Sequence, residues 1–348
     1  MIKDPVVFVT DDFLLKDNFE LLTEKLLQRG IRVITGPPTI PGGKKEYAQE
    51  EILQFFQDVD VVMGCPRTIA NRRFLENCRH ILGIVYPGIG VETLDVQTAT
   101  ENGIAVGFGP IPENFISVAE FAVALILMSV HRMLSGVYAT YGKAQWHRDR
   151  SNPAGAIYKK KIGFLGFGRI GRAVAERLQH FDVEMLAYSP SLTKANVPDY
   201  IQVCTKEEVI RKSDVLGLYV VINDDTRNMI NRDTLAMMKP TAYLINIARG
   251  EAVNEEDLYE ALKNGVIAGA ALDTYQHEPL PPDSGLRMLD NVILTPHIAA
   301  STRDQFYASL QAEFDNIVDI LEGRLPRYCK NPEVERAFFD RYELRNSI

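Results

Sequence analysis

Three ionisable residues in the second half of the chain have the types and settings that hydride-transfer chemistry requires. Arg249 stands in Asn246-Ile247-Ala248-Arg249-Gly250, Glu278 in Gln276-His277-Glu278-Pro279, and His297 in Thr295-Pro296-His297-Ile298-Ala299. Reducing a ketone with hydride needs a proton donor for the carbonyl oxygen, and an imidazolium near neutral pH suits that role. A carboxylate hydrogen-bonded to the imidazole holds its orientation and favours the protonated ring. A guanidinium clamps a carboxylate through two parallel hydrogen bonds and polarises the adjacent carbonyl. Taken singly, each residue also has a plainer reading: Arg249 as a loop surface charge, His297 as a ring bonded to backbone, Glu278 as a solvated acid. His80, His131, His147, His180 and His277 have no comparable setting.

A second constellation supplies the other half of such chemistry. In Gly166-Phe167-Gly168-Arg169-Ile170-Gly171 the glycines sit where an apolar strand gives way to an amphipathic helix. There the bare backbone lets a pyrophosphate approach the N–H groups at the positive end of the helix. A bare Gly-x-Gly-x-x-Gly is weak evidence, but this one has a strand before it, a helix after it and a second strand within one βαβ unit. The second strand ends at Tyr188-Ser189-Pro190-Ser191, where an NAD site normally carries Asp or Glu on the ribose 2′-OH. Ser189 removes that carboxylate, no Arg stands beside it, and Lys194 is several residues on, so the cofactor is NAD or NADP.

Both constellations need positioning elements, and the hydrophobic pattern predicts them. Residues 6–9, 31–34, 59–63, 81–85 and 104–106 read as strands, interleaved with helical periodicity at 14–27 and 51–56. A long, widely apolar helix is predicted over 117–141. Strands follow at 161–165, 183–188, 215–222, 243–247, 267–272 and 292–294, with helices at 169–179, 232–238 and 254–262 between them. Thr205 with Glu208 has capping-box spacing, and Asn231, Asn254 and Ser301 or Thr302 are candidate N-caps. The last helix runs to about Glu322, and the tail after Pro326 shows little pattern. Alternation of this kind implies α/β architecture with parallel sheets. Arg249, Glu278 and His297 each fall just past a strand's carboxyl end, the edge where open α/β sheets bind ligands.

Composition bounds the alternatives. The 348 residues are 46% hydrophobic and 24% charged with net charge −8, which disfavours nucleic acid as the main partner. Cys65, Cys78, Cys204 and Cys329 are scattered, which fits neither a zinc site nor a disulfide scaffold and suits a reducing compartment. The longest greasy run, residues 121–130, is about half a membrane span. With no signal-peptide pattern at the start, the expected location is cytoplasmic.

Together these segments resemble the D-isomer-specific 2-hydroxyacid dehydrogenases over about residues 60 to 325. The motifs are Gly88-Ile89-Gly90-Val91, Ser117-Val118-Ala119-Glu120, the phosphate loop, Asn246 to Gly250, Ala268-Gly269-Ala270-Ala271-Leu272-Asp273, and Pro296-His297. The resemblance implies two Rossmann-like domains. A discontinuous, flavodoxin-like substrate domain (1–110 and 300–348) would enclose an NAD(P)-binding domain (111–299), with catalysis in the cleft. It implies reduction of a 2-oxo acid to its D-2-hydroxy acid, with His297 as acid/base, Glu278 as its carboxylate partner and Arg249 as substrate clamp. Backbone N–H groups near Ile89 and Gly90 would hold the substrate carboxylate. Gly166, Gly168, Arg169, Ile170 and Gly171 would hold the pyrophosphate, with Ser189 at the ribose and Val220 on the adenosine side. Ile247 and Ala248 would line the nicotinamide pocket, and Asp273 would bond its amide. A homodimer through the helix from Ser117 is implied as well.

The departures are specific. Tyr219-Val220-Val221 replaces a common His-x-Pro, Tyr86-Pro87 replaces Arg-Ala, and Ser189 replaces Asp. The length points away from the long phosphoglycerate dehydrogenases, and Glu278 away from formate dehydrogenases, which use Gln. Arg67, Tyr86 and Trp146 are candidate substrate selectors. Two rival functions share the scaffold: a dinucleotide-sensing corepressor, and phosphite-type oxidation.

Overall fold

The computed structural model describes residues 2–12, 15–39, 44–78, 80–142 and 154–347; Trp146 and His147 lie outside them. The chain divides into two compact units, Met1–Asn114 with Thr302–Ile348, and Phe115–Ser301.

The first unit contributes β1 (Val6–Val9), β2 (Arg32–Thr35), β3 (Lys45–Glu46), β4 (Val61–Met63), β5 (Thr68–Ile69), β6 (Gly83–Val85) and β7 (Ala105–Gly107). Five of these form a sheet in the order β2-β1-β4-β6-β7 with every pairing parallel, while β3 pairs with β5. Side chains of a strand alternate between its faces. Accordingly Val7, Val9, Val61, Met63 and Val85 join one core, which includes Ile317 and Ile320 of the helix Arg303–Leu321. Val6, Phe8, Val62 and Ile84 join the other, with Ile52, Phe56 and Phe74. A sheet apolar on both faces must be covered on both, which is why its strands read as continuous hydrophobic runs.

The second unit repeats the plan with β8 (Lys161–Leu165), β9 (Glu184–Tyr188), β10 (Ile201–Val203), β11 (Val215–Leu218), β12 (Tyr243–Asn246), β13 (Gly269–Leu272) and β14 (Val292–Leu294). Their order is β10-β9-β8-β11-β12-β13-β14, again all parallel. The order reverses direction at β8, so the crevice beyond its carboxyl end is a topological switch point. Thr205, Asn231, Asn254 and Thr302 each accept a backbone N–H at a helix start, as their spacing predicts.

Three expectations need correction. The helix predicted over 117–141 is two, Pro112–Val130 and Met133–Thr140, parted at Arg132, whose φ of 51° is left-handed. The second of these buries no side chain, so apolar periodicity continues there without core packing to support it. The first is 19 residues with mean hydropathy 1.7, long and apolar enough to cross a membrane by length and composition, although the sequence reading recognised only half of it. Its Val118, Ala122, Leu125 and Ile126 are buried in the core of the second unit.

The tail after Pro326 is not patternless: it forms a helix, Glu335–Asn346, with Phe338 fully buried. The tail is held mainly by polar anchors, which apolar periodicity cannot reveal. Arg341 donates to the carbonyls of Ile81, Asn102 and Cys78, and Arg345 Nε lies 2.7 Å from the buried Asp60. Asn331, also buried, donates to Ile104 O and accepts from Val106 N, closing the end of β7. Finally, β10 is a strand where none was predicted: only Ile201 of its three residues is buried and Gln202 is exposed, so it makes no apolar run.

One buried acid makes the first unit's stability depend on pH. Glu313 is 1% exposed and accepts a hydrogen bond from Ser309 Oγ at 2.5 Å, but its Oε2 has no hydrogen-bond partner among the described residues. Burial pushes its carboxyl up to about 7, against the opposing effect of Ser309. A carboxyl raised on folding stabilises fully below its unfolded pKa, and that contribution is lost as pH rises through the folded one. Between pH 4.5 and 9 this group should therefore cost on the order of 3 kcal/mol. Urea unfolding of Glu313→Gln should show that decline removed, with the variant more stable than the parent at pH 9.

Candidate active site

The phosphate loop begins as β8 ends. Gly166 has φ of +86°, and a Cβ there would lie 2.5 Å from Tyr219 O, so the turn requires glycine. At Gly171 a Cβ would come within 3.0 Å of Gly166 O, so this glycine lets helix Arg169–Leu178 pack closely. Gly168 differs from both. Its φ is an ordinary −81°, and among the described residues a Cβ would meet nothing within 4 Å. Neither the backbone nor packing among the described residues demands glycine at 168. Bare backbone there leaves room beside a helix N-terminus for a group from outside the chain, and a dinucleotide pyrophosphate fits that cradle. Arg169 is exposed and Ile170 half-buried at the same helix start.

Neighbouring positions shape the rest of this edge. Ser189 is half-buried immediately after β9. After β11, Tyr219 stacks on Phe164 with ring centroids 5.3 Å apart, and its ring lies over Gly217, where a Cβ would meet the hydroxyl at 2.5 Å. Val220 is half-buried against the adjoining core. Ile247 and Ala248 are buried just past β12.

The ionisable residues converge beyond β12, β13 and β14. Buried Asn246 ends β12 and shapes the next turn, its Nδ2 donating to Arg249 O at 3.0 Å and its Oδ1 accepting from Ala248 N. Gly250 follows Arg249 where a Cβ would lie 1.8 Å from the carbonyl carbon of Tyr275. Only glycine permits this approach, which pins the Arg249 turn to the segment carrying Glu278. That segment is tied again by Tyr275, whose N–H donates to Glu278 Oε1 at 3.1 Å and whose hydroxyl donates to Thr295 O at 2.8 Å. Glu255 accepts from Gln276 N at 2.5 Å.

His297 Nδ1 lies 2.8 Å from Glu278 Oε2, with both side chains partly exposed. Burial pushes the Glu278 carboxyl up. The hydrogen bond and charge of His297, the Tyr275 N–H and the Arg249 guanidinium outweigh that push and hold the carboxyl below its ordinary value. The carboxylate is therefore ionised near neutral pH and survives further into acid than a free one. With Nδ1 engaged, Nε2 is the ring atom left to exchange a proton with a substrate. His297 itself has φ of 53°, a left-handed conformation uncommon outside glycine.

Asp273 holds that strained turn in place. It is fully buried at the end of β13 and accepts from Thr295 Oγ1 at 2.6 Å, Ile298 N at 3.0 Å and Ala299 N at 2.8 Å. The sequence reading gave Asp273 only a nicotinamide contact. Its role as anchor of the His297 turn was not legible, because the partners lie more than 20 positions on. Glu255, whose partner Gln276 lies 21 positions on, escapes notice for the same reason, whereas Asn246 and Tyr275 bond partly to residues two or three positions away, which residue type alone does not reveal.

In the first unit, Ile89 and Gly90 follow β6 in a loop opened by Gly88 at φ +77°. Among the described residues, no hydrogen-bond acceptor meets either N–H. Tyr86 is fully buried, its hydroxyl donating to Thr68 O at 2.8 Å and its ring lying over Gly64, so it braces the 64–69 segment instead of facing a substrate. Arg67 forks onto the buried Asp12 carboxylate, with Nε 2.6 Å from Oδ2 and Nη2 on Oδ1.

Residues 123–299 match the family model described as D-isomer specific 2-hydroxyacid dehydrogenase, NAD binding domain. The chain is 35% identical over 294 residues to a glyoxylate reductase of Thermofilum pendens, covering 82% of this chain and 86% of that one. It is 34% identical over 315 residues to a D-3-phosphoglycerate dehydrogenase of Methanocaldococcus jannaschii, covering 89% of this chain but only 59% of that one. Among solved structures, an NAD-dependent formate dehydrogenase from Staphylococcus aureus in complex with NAD superposes with a TM-score of 0.75 at 25% identity, covering 90% and 95% of the two chains. Nothing in these comparisons supports a corepressor or a phosphite-oxidising reading.

Asp273→Asn tests the anchor. One carboxylate oxygen becomes an NH2 facing a donor, leaving buried N–H groups without acceptors at about 1–3 kcal/mol each. Thermal denaturation should show a lowered melting temperature, and turnover should fall at least ten-fold as the turn loosens. Unchanged stability would show that the three hydrogen bonds do not hold the loop.

Proposed function

The chain belongs to the D-isomer-specific 2-hydroxyacid dehydrogenase family as an NAD(P)-dependent oxidoreductase, and from that premise we propose that Arg249, Glu278 and His297 interconvert a small 2-oxo acid and its D-2-hydroxy acid. The observation that carries this reading is the 2.8 Å contact of His297 Nδ1 with Glu278, beside a guanidinium whose charge reaches the same carboxylate.

When bound, the nicotinamide supplies hydride to C2 of the oxo acid, or takes it back in oxidation. The residues Gly166 to Gly171 would hold its pyrophosphate, Ser189 the adenosine ribose, Val220 the adenosine side, and Ile247 with Ala248 the nicotinamide ring. In reduction, protonated His297 gives the proton on Nε2 to the carbonyl oxygen, and Glu278 stabilises the imidazolium. In oxidation the same nitrogen, held in the Nδ1–H tautomer by Glu278, removes the hydroxyl proton. Arg249 binds the substrate carboxylate and polarises the carbonyl. The second unit is then the dinucleotide domain and the first, whose Ile89 and Gly90 N–H groups are candidate carboxylate donors, the substrate domain.

This reading extends to the assembly. Met133, Val137, Tyr138 and Tyr141 are exposed on and just past one short helix, an apolar surface that supports a homodimer. The four described cysteines are all free, which supports a cytoplasmic location.

Steady-state kinetics with NADH, NADPH and a panel of glyoxylate, hydroxypyruvate, pyruvate and bulkier 2-oxo acids checks the assignment. His297→Ala should lower kcat at least 1,000-fold, roughly the general acid–base contribution, while cofactor Kd changes less than about three-fold. Arg249→Lys should act mainly on KM for the oxo acid, because one ammonium cannot reproduce the fork. A His297→Ala enzyme that keeps most of its activity refutes the assignment.

A further inference from the structure

Residues 87–90, which carry the Ile89 and Gly90 N–H groups, have little support of their own. Among the described residues, one backbone–backbone hydrogen bond ties them to the rest of the first unit: Gly109 N donates to Gly88 O at 2.6 Å. Gly109 lies so close that a Cβ on it would stand 2.9 Å from Gly88 N, a backbone atom that cannot swing aside. Position 109 therefore sets where the loop leaves β6. Residue 109 is held in turn through its neighbour. Phe108 N donates to Tyr328 O at 3.1 Å, and Phe108 O accepts from Asn316 Nδ2 at 3.1 Å. Asn316 Oδ1 accepts from Tyr328 N at 3.3 Å, so one side chain closes a ring of three hydrogen bonds. Asn316 is 1% exposed on the helix Arg303–Leu321 and is pressed against the end of β7. Its Cβ and Nδ2 each stand 3.4 Å from where Gly107 would carry a Cβ.

We propose that Asn316 is a positioning residue for the oxo acid: through Phe108 and Gly109 it fixes Gly88, and with it the direction of the Ile89 and Gly90 N–H groups. The inference rests on the reading of those N–H groups as donors to the substrate carboxylate. Two N–H groups serve one carboxylate only when both are aimed at it, and a loop with a single backbone tie takes its aim from that tie. The primary amide suits position 316 because one planar group donates through Nδ2 and accepts through Oδ1. Aspartate there would still accept from Tyr328 N but would set a carboxylate oxygen against Phe108 O. Leucine would leave the Phe108 carbonyl and the Tyr328 N–H without this partner. Every member of the relay belongs to the first unit, whereas the glycine loop at 166–171 belongs to the second. Loosening the relay therefore acts on the oxo acid and spares the dinucleotide.

Steady-state kinetics of the full chain with NADH and glyoxylate, with NADH Kd from fluorescence titration, tests the relay at both ends. Gly109→Ala, whose methyl presses on Gly88 N, and Asn316→Asp should each raise KM for glyoxylate about ten-fold or more while NADH Kd stays within about two-fold of the parent. Damage that is merely structural lowers the active fraction, and so the apparent kcat, but leaves the KM of the surviving enzyme unmoved. Gly90→Pro, which deletes one of the N–H groups, serves as the reference. A raised KM in Gly90→Pro with parental KM in Gly109→Ala and Asn316→Asp overturns the relay and leaves the carboxylate reading standing. Parental KM in Gly90→Pro overturns that reading and the relay with it. Because the two relay variants act at opposite ends, either one decides the matter if the other does not fold.

Discussion

A buried carboxylate must be matched by donors, and Asp273 is matched by three, all from the segment that carries His297. Much of the reactive edge of the second unit depends on that match. The His297 turn adopts a left-handed backbone that a non-glycine residue does not choose unaided, so something outside it must hold it. Asp273 holds it from β13, and Tyr275, two residues later, reaches both Thr295 O and Glu278. The histidine and its carboxylate thus take their separation from one strand end. That economy suits an acid/base pair, which loses effect when its members drift by an ångström.

Parallel β-topology explains why these residues meet at all. Every pairing in both main sheets is parallel, so all strands of a sheet end on the same edge. Residues 246–250, 273–278 and 295–299 are distant in sequence, yet each follows a strand of one contiguous run, β12-β13-β14. Glycine then sets how closely the loops approach. Gly250 admits the Tyr275–Gln276 peptide, and Gly166 admits the backbone of Tyr219. Of the three glycines in the phosphate loop, Gly168 is the one with open space among the described residues where its side chain would be, as suits a glycine kept for a guest.

Much of the frame was legible in the chain. Helix caps at Thr205, Asn231, Asn254 and Thr302 are local contests between a side chain and nearby N–H groups, so spacing alone reveals them. Buried strands such as 161–165 show as apolar runs because both faces are covered. The anchoring of the C-terminal helix was not legible, since Arg341 and Arg345 act on carbonyls and a carboxylate more than 200 positions away. Nor was the break at Arg132, where apolar periodicity runs on although packing stops.

The sequence by itself determined the chemistry on offer: a glycine loop between strand and helix, a histidine, a carboxylate and an arginine after strand ends, and a serine where a carboxylate would mark NAD. These are properties of residue type and short spacing, which depend on local sterics and ionisation. Only the tertiary structure decided which groups touch. It paired His297 with Glu278, committed Asp273 to the turn beneath them, turned Tyr86 inward as a brace, and set Arg172 against the loop after Ser189. Such contacts join residues tens of positions apart, and their geometry follows from strand order and burial, which no short window of sequence contains.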